Sequence, residues 1–317
     1  MRAARIGGGA LAAALLLLPP LSAQSVQERL QLAQAAVQGR QWQRAEQLLA
    51  GARGGSIGEA AAILHLRGLA EAGLGRTQTA AGDLERAYEL DPHGRFYAGD
   101  AGLALLRANA AEAASRALAA ATQEEPGNAR LWQALAVADL RMGRNRAAAA
   151  AAQRGLAAGS GGLAAELHLL AAQALGNDGQ IDPALAEARA AAALAPALPN
   201  AHLAVGILLA ERTPPDLDAA ARQFQRAEAL APDFAPAYLQ LGKLWLRRRR
   251  FADALSQLRR ARQLAPGLEE ANYLLAQALA RRGHLAEAAK LMQEYERARS
   301  ARRQQLANQA LPTFIVE

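Results

Sequence analysis

The chain has 317 residues, a formal net charge of +7 and no cysteine. Apolar residues make up 52% of it and aromatic residues only 4%, a composition that favours a helical core of alanine and leucine. The absence of cysteine excludes disulfides, a cysteine nucleophile and a lipid-modified cysteine. Packing alone must therefore stabilise the fold.

The first 23 residues have the pattern of a secretory signal peptide. Arg2 and Arg5 precede an apolar run over residues 10–18, and Ser22 and Ala23 provide a small-residue cleavage site. The run is shorter than the roughly 20 apolar residues of a spanning helix, although a retained anchor is the alternative. We expect cleavage near Ala23 and a periplasmic or secreted location.

After the leader, alanine recurs with the spacing of a helical repeat. Seven alanines are separated by 34 or 36 residues, namely Ala80, Ala114, Ala148, Ala184, Ala220, Ala254 and Ala288. Such a period is typical of stacked helix pairs, in which each pair buries its apolar face against its neighbours. Because alternating strand patterns are nearly absent, the sequence predicts an all-α chain that functions through its surface.

The clearest repeat covers residues 235–268. Its diagnostic residues are Tyr238, Leu241, Gly242, Trp245, Ala254, Leu258, Ala261 and Pro266. This pattern resembles the tetratricopeptide repeat family, with Tyr238 and Trp245 as aromatic substitutes at the two ends of the first motif. The resemblance implies a right-handed superhelical solenoid of about eight helix-turn-helix repeats with a C-terminal capping helix.

The same register divides the chain after the leader into eight repeats. They cover residues 26–59, 61–94, 95–128, 129–162, 165–198, 199–234, 235–268 and 269–302. We therefore expect repeats one to four over residues 26–162, repeats five to eight over residues 163–302, and a helical extension with an apolar tail over residues 303–317. The tail either fills a groove in cis or frays. Glycines at 159–162 replace a helix-ending proline, which predicts a hinge or a plain loop.

The first helices carry a second apolar stripe, at the positions that line the concave groove of the family. Its members are Leu69, Phe96, Leu103, Leu106, Val137, Leu140, Leu169, Leu203, Ile207, Leu239, Leu246 and Tyr273. A helix that is apolar on two faces has more apolar surface than its own hairpin buries, and exposed patches of this kind mark binding sites. We expect the stripe to bind an extended or helical peptide, the alternative being packing between adjacent repeats.

Charge is unevenly distributed along the chain. Residues 24–234 contain 19 basic and 22 acidic side chains, whereas residues 235–317 contain 15 and 7. We expect a basic patch formed by Arg247, Arg248, Arg249, Arg250, Arg259 and Arg260. It would attract anionic lipid, glycan or acidic protein, although residues 247–250 also suit a helix C-terminus. Export and the scarcity of aromatic residues argue against nucleic acid.

The chain has no recognisable catalytic or metal-binding signature. The segment 159–162 lacks the lysine and the preceding strand of a phosphate loop, and His168 with His202 would make a poor metal site. We expect no enzymatic activity, no cofactor and no metal. The predicted function is an exported scaffold or adaptor for protein–protein interaction in the cell envelope. The alternatives are a peripheral component docked through its basic end, and a hydrolase with an unrecognised site.

Overall fold

The computed structural model describes residues 24–94 and 96–310, with side chains up to residue 303. This part of the chain forms sixteen α-helices, one short 3-10 helix over Gly161–Leu163, and no strand. The all-α prediction is confirmed. The signal peptide and the apolar tail over residues 311–317 lie outside the described residues, and both stay predictions.

The chain divides into two compact units, Met1–Gly159 and Ser160–Glu317. Unit 1 contains four hairpins of consecutive helices, each joined by a short turn. Its helices are α1 Val26–Gln38, α2 Trp42–Leu49, α3 Ile57–Gly73, α4 Thr77–Leu90, α5 Tyr97–Arg107, α6 Ala111–Glu124, α7 Ala129–Arg141 and α8 Asn145–Ala157. The unit boundary falls in the glycine-rich segment 159–162, where the hinge itself stays a prediction.

Unit 2 also contains four hairpins. Its helices are α9 Ala164–Asn177, α10 Ile181–Leu194, α11 Pro199–Glu211, α12 Leu217–Leu230, α13 Ala235–Arg247, α14 Phe251–Leu264, α15 Glu269–Arg281 and α16 Leu285–Ala310. Within each unit every helix contacts the next one in sequence, and the first helices of successive hairpins also contact one another. The hairpins therefore stack in chain order, as expected for tetratricopeptide-type repeats.

The turn within most hairpins contains one residue in the left-handed region of backbone conformation. Glycine fills this position at Gly75, Gly143, Gly179 and Gly283, with φ between 70° and 83°. Arg40, Asn109 and Arg249 occupy the equivalent position in three other hairpins. Because a Cβ is unfavourable in this region, glycine is the least strained choice.

The core consists mainly of alanine and leucine. All seven of the periodic alanines are buried, which explains their spacing, because each lies where a second helix contacts its neighbours and a larger side chain would overpack the contact. Phe224, Leu118 and Leu258 are among the largest fully buried side chains. The periodic alanines and the buried leucines, such as Leu118 and Leu258, thus pack in the same helix contacts.

The last helix is longer than the second helix of any other hairpin. It runs for 26 residues over Leu285–Ala310. Among the described helices, none is both long enough and apolar enough to span a membrane.

Candidate functional site

The two helices of several hairpins approach closely at the eighth position of the repeat. A Cβ built on Gly206 would lie 2.5 Å from Cε1 of Phe224, and one built on Gly242 would lie 2.6 Å from Cδ2 of Leu258. The same arrangement occurs between Gly68 and Leu84 and between Gly102 and Leu118. The predicted glycine motif is therefore a point of helix contact.

Adjacent repeats are joined by a recurring hydrogen bond to the carbonyl oxygen of the helix-ending proline. The side chain six residues further on, at the fourth position of the next repeat, donates this bond. The pairs are Trp132 Nε1 to Pro126 (2.8 Å), His202 Nε2 to Pro196 (2.9 Å), Tyr238 Oη to Pro232 (3.0 Å) and Asn272 Nδ2 to Pro266 (3.4 Å). The family pattern identifies Tyr238 at this position only as an aromatic substitute, but all four side chains carry a donor.

These contacts repeat with the register that the family resemblance implies, and comparison with known proteins agrees. The profile of the tetratricopeptide repeat matches residues 30–95 and 216–269. These two segments of the chain contain tetratricopeptide repeats. Two solved crystal structures of MamA are similar to part of it. One is 19% identical with a TM-score of 0.45 and covers 54% of this chain and 97% of that chain. The other is 18% identical with a TM-score of 0.44 and covers 60% and 98%. No curated protein sequence matches the chain.

Tetratricopeptide repeats generally mediate the binding of protein partners, and proteins of this fold are generally non-catalytic scaffolds. The family match therefore supports a scaffold for protein–protein interaction. The surface that holds the partner has to be found among the exposed faces of the repeats.

The strongest candidate in unit 1 is the half-buried side of its first helices. We call it the unit 1 stripe, formed by Leu69, Leu103, Leu106, Val137 and Leu140, all of which are partly exposed. Because α3, α5 and α7 contact one another in sequence, stripe residues on adjacent helices belong to one surface. The intervening residues of α5 and α7 are buried in the hairpins, so the stripe is a distinct face.

The N-terminal edge of the unit 1 stripe carries polar and aromatic groups. Nε2 of His65 lies 2.7 Å from Oδ2 of Asp100, and the His65 ring lies 4.4 Å from that of Tyr97. Burial, followed by the nearby charge of Asp91, raises the pKa of the Tyr97 phenol above its ordinary value. Phe96 is 45% exposed at this edge.

Two exposed arginines mark the C-terminal edge of the same stripe. Arg107 lies in the last turn of α5 and Arg141 in the last turn of α7. Nη1 of Arg141 donates to the carbonyl oxygen of Leu106 at 2.8 Å. The same carbonyl, at the end of the preceding first helix, also accepts from the backbone N–H of Asn109 at 3.3 Å. The stripe is therefore apolar along its middle and basic along this edge.

The corresponding stripe of unit 2 is less continuous. Leu169, Leu203, Ile207 and Leu246 are partly buried, but Leu239 is only 5% exposed and belongs to the core. Nζ of Lys243 pairs with Oε1 of Glu270 at 2.6 Å on the same side of the first helices. Tyr273 is 36% exposed and its ring lies 5.4 Å from that of Tyr295. Unit 1 therefore offers the more uniform apolar surface.

Most of the arginine run at residues 247–250 has partners within unit 2. Arg247 donates to the carbonyl oxygen of Ala210 at 2.9 Å, and Arg248 pairs with Asp218 at 2.8 Å. Arg250 pairs with Asp253 at 2.7 Å and lies over the Trp245 ring at 4.2 Å. Arg249 is exposed with φ 56°. Three of the four arginines thus stabilise the packing of unit 2 through these contacts. The contribution of the run to a basic patch stays a prediction.

The two histidines weighed as metal ligands join the helices of their own hairpins. Nδ1 of His168 lies 2.6 Å from Oε2 of Glu187, and Nδ1 of His202 lies 2.9 Å from Oε1 of Gln223. Across the residues that the structure describes, no three metal-binding side chains converge. Both histidines therefore stabilise the hairpins in this structure.

A further polar network lies inside unit 1. Arg67 forms two hydrogen bonds with the largely buried carboxylate of Asp83, and the hydroxyl of Ser115 donates to Asp139 at 2.7 Å. Burial, followed by the charge of Asp83, raises the pKa of the Glu71 carboxyl above its ordinary value. Arg67 is thus paired with Asp83 and Ser115 with Asp139, whereas Oε2 of Glu71 is buried with no hydrogen-bond partner among the described residues.

Proposed function

We propose that the protein is an exported, non-catalytic scaffold that captures a protein partner on the unit 1 stripe. The observation that supports the proposal is the row of half-exposed leucine and valine side chains along three contacting first helices. Each of these side chains keeps apolar surface in water, and covering that surface stabilises a complex by about 25 cal/mol per Å².

The chemistry of the stripe favours an amphipathic partner helix. Its apolar face would cover Leu103, Leu106, Val137 and Leu140, as in other helix-in-groove complexes. Arg107 and Arg141 along one edge would be matched by acidic residues along one side of the partner, because complementary charge sets orientation and register. An extended peptide would satisfy the edge charges less regularly, since its side chains alternate between two faces.

Export is proposed from the leader pattern of residues 1–23. N-terminal sequencing of protein recovered from the native host tests this part. A new terminus at or near Gln24, together with recovery from the periplasm or medium, supports export. An intact leader on protein recovered from the cytoplasm contradicts it.

The groove is tested with the double variant Leu103→Glu, Leu140→Glu. The matched control is Ala113→Glu, Ala150→Glu, which adds the same charges to the second helices of the same two hairpins. We expect the groove variant to lose partners captured from the native envelope while keeping helical content and melting temperature near wild type. The control should retain capture. If the groove variant unfolds, its leucines belong to the core and the proposal fails.

A second candidate function is docking of the basic end on anionic lipid or glycan. Arg249 favours it, because an arginine occupies a left-handed turn position that glycine fills in four other hairpins. Arg249→Glu leaves the internal pairs of Arg247, Arg248 and Arg250 intact. Loss of vesicle or glycan binding in this variant, with partner capture unchanged, would favour the second candidate over the first.

We infer that the chain acts without catalysis. The polar clusters that could resemble an active site, such as Ser115 with Asp139, are part of the hairpin packing. Turnover of any ester, peptide or glycoside by purified protein, abolished by Ser115→Ala without unfolding, would contradict this and favour the hydrolase alternative.

A further inference from the structure

Unit 2 contains a recess on the side of its second helices, away from the stripe. It has a volume of about 800 Å³ and is bounded by α12, α13, α14 and the turn before α16. Volumes of this size are typical of ligand sites, which range over about 300–1,000 Å³. We propose that this recess binds an acidic peptide segment of a partner protein.

Guanidinium groups dominate the charge of the recess. Arg259, Arg260 and Arg282 line it together with His284, and Glu228 is the one acidic residue among its described lining residues. Arginine presents planar donors that match a carboxylate in two parallel hydrogen bonds. The recess therefore attracts carboxylates more strongly than neutral or cationic groups.

These guanidinium groups are available to a ligand. Arg259 contacts Glu287 at 3.4 Å, but both side chains are half exposed, and exposed pairs of this kind contribute little. Arg260 lies 5.9 Å from the Tyr238 ring and makes a long hydrogen bond of 3.4 Å to the carbonyl oxygen of Pro232. The side chain of Arg282 pairs with no described residue. A carboxylate would thus gain hydrogen bonds without breaking strong ones.

An unpaired acceptor in the same recess points to a peptide. Oε1 of Gln257 is buried and has no hydrogen-bond partner among the described residues. A buried acceptor of this kind is unfavourable unless a donor reaches it. A peptide provides carboxylates for the arginines and also N–H donors, which Gln257 would accept once its amide turns toward the recess, whereas a phosphodiester group provides acceptors alone.

Fluorescence anisotropy with the labelled peptide Gly-Glu-Glu-Glu-Glu-Gly tests the proposal on the whole chain. The double variant Arg260→Glu, Arg282→Glu should bind the peptide at least about tenfold more weakly than wild type, as expected when charge-assisted hydrogen bonds are lost. The control is Arg297→Glu, Arg299→Glu, which makes the same charge change on exposed positions of α16. The control should lose less than about threefold, through long-range charge alone.

A neutral substitution separates a peptide from a simple anion. Gln257→Leu should weaken binding of the peptide by about threefold and leave competition by inorganic phosphate unchanged. Circular dichroism checks that each variant is folded. If Arg260→Glu, Arg282→Glu loses helix, the binding measurement is made instead with Arg282→Glu alone, because Arg282 lies at an exposed turn. Equal losses in the two double variants would overturn the proposal. So would binding of phosphatidylglycerol vesicles that depends on Arg260 and Arg282 in the absence of peptide binding.

Discussion

The contact between Gly206 and Phe224 makes a quantitative prediction about hairpin packing. Gly206→Ala replaces a helix-interior glycine and should gain about 1 kcal/mol from helix propensity alone. The new Cβ would meet Cε1 and Cδ1 of Phe224 at 2.5 and 2.6 Å, however, and this ring is only 1% exposed. Overpacking at such a site costs about 1–3 kcal/mol. Because three ring atoms crowd the new methyl, we expect a net loss of about 1–2 kcal/mol.

Removing the ring should reverse the sign of this effect. Phe224→Ala alone should destabilise unit 2 by about 3–5 kcal/mol. In that background Gly206→Ala meets no ring and should stabilise by about 1 kcal/mol through propensity. The double-mutant cycle should therefore show a coupling free energy of about 2–3 kcal/mol.

Urea unfolding followed by Trp245 fluorescence measures the cycle in unit 2. The other two tryptophans, Trp42 and Trp132, lie in unit 1 and are replaced by phenylalanine in every protein compared. Gly82→Ala is the control, because a Cβ on this helical glycine would meet nothing within 4 Å and should stabilise unit 1. Since Gly82 lies in unit 1, the unfolding of this variant is followed by circular dichroism. Equal effects of Gly206→Ala with and without the Phe224 ring would refute the reasoning.

Three smaller predictions concern single side chains. Tyr238→Phe removes the hydrogen bond to Pro232 and should cost about 1 kcal/mol, seen as a lower urea midpoint; an unchanged midpoint would mean that the bond adds nothing. Arg249→Gly relieves a left-handed arginine and should stabilise by up to about 1 kcal/mol, so a lower melting temperature would contradict the strain. Because the pKa of Glu71 is raised on folding, its ionised form lowers stability. Glu71→Gln should therefore raise the urea midpoint at neutral pH, and the gain should vanish as the pH falls below the ordinary carboxyl pKa; a gain independent of pH would point to another cause.

The repeat architecture could be predicted because its geometry demands particular residues at particular positions. Where two helices touch, only a small side chain fits, so the positions of Ala220 and Gly206 are filled by alanine or glycine in the other repeats. The left-handed turn position likewise favours glycine, as at Gly143. These requirements are local and steric. Small residues and turn glycines therefore recur at regular intervals in the sequence.

The candidate site was harder to predict because exposure depends on neighbouring helices. Leu239 and Leu203 occupy the same position of consecutive repeats, yet Leu239 is buried and Leu203 is partly exposed. The sequence around Arg248 predicts an unpaired cation, but in the structure Arg248 pairs with Asp218 of the preceding repeat. The hydrogen bond from Trp132 to Pro126 was also missed. The sequence shows that tryptophan carries an N–H donor, but it does not show which acceptor that donor reaches.

Thiol accessibility measures the central claim most directly, because the chain has no cysteine of its own. Single cysteines are introduced at Leu103 and Leu140 in the unit 1 stripe and, for comparison, at the buried positions Leu105 and Leu135. The account predicts rapid labelling of the stripe cysteines in the folded protein, protection of them when the captured partner is added, and slow labelling of the buried pair throughout. Labelling of Leu103→Cys as slow as that of Leu105→Cys, or unchanged by the partner, would contradict a binding surface on the first helices.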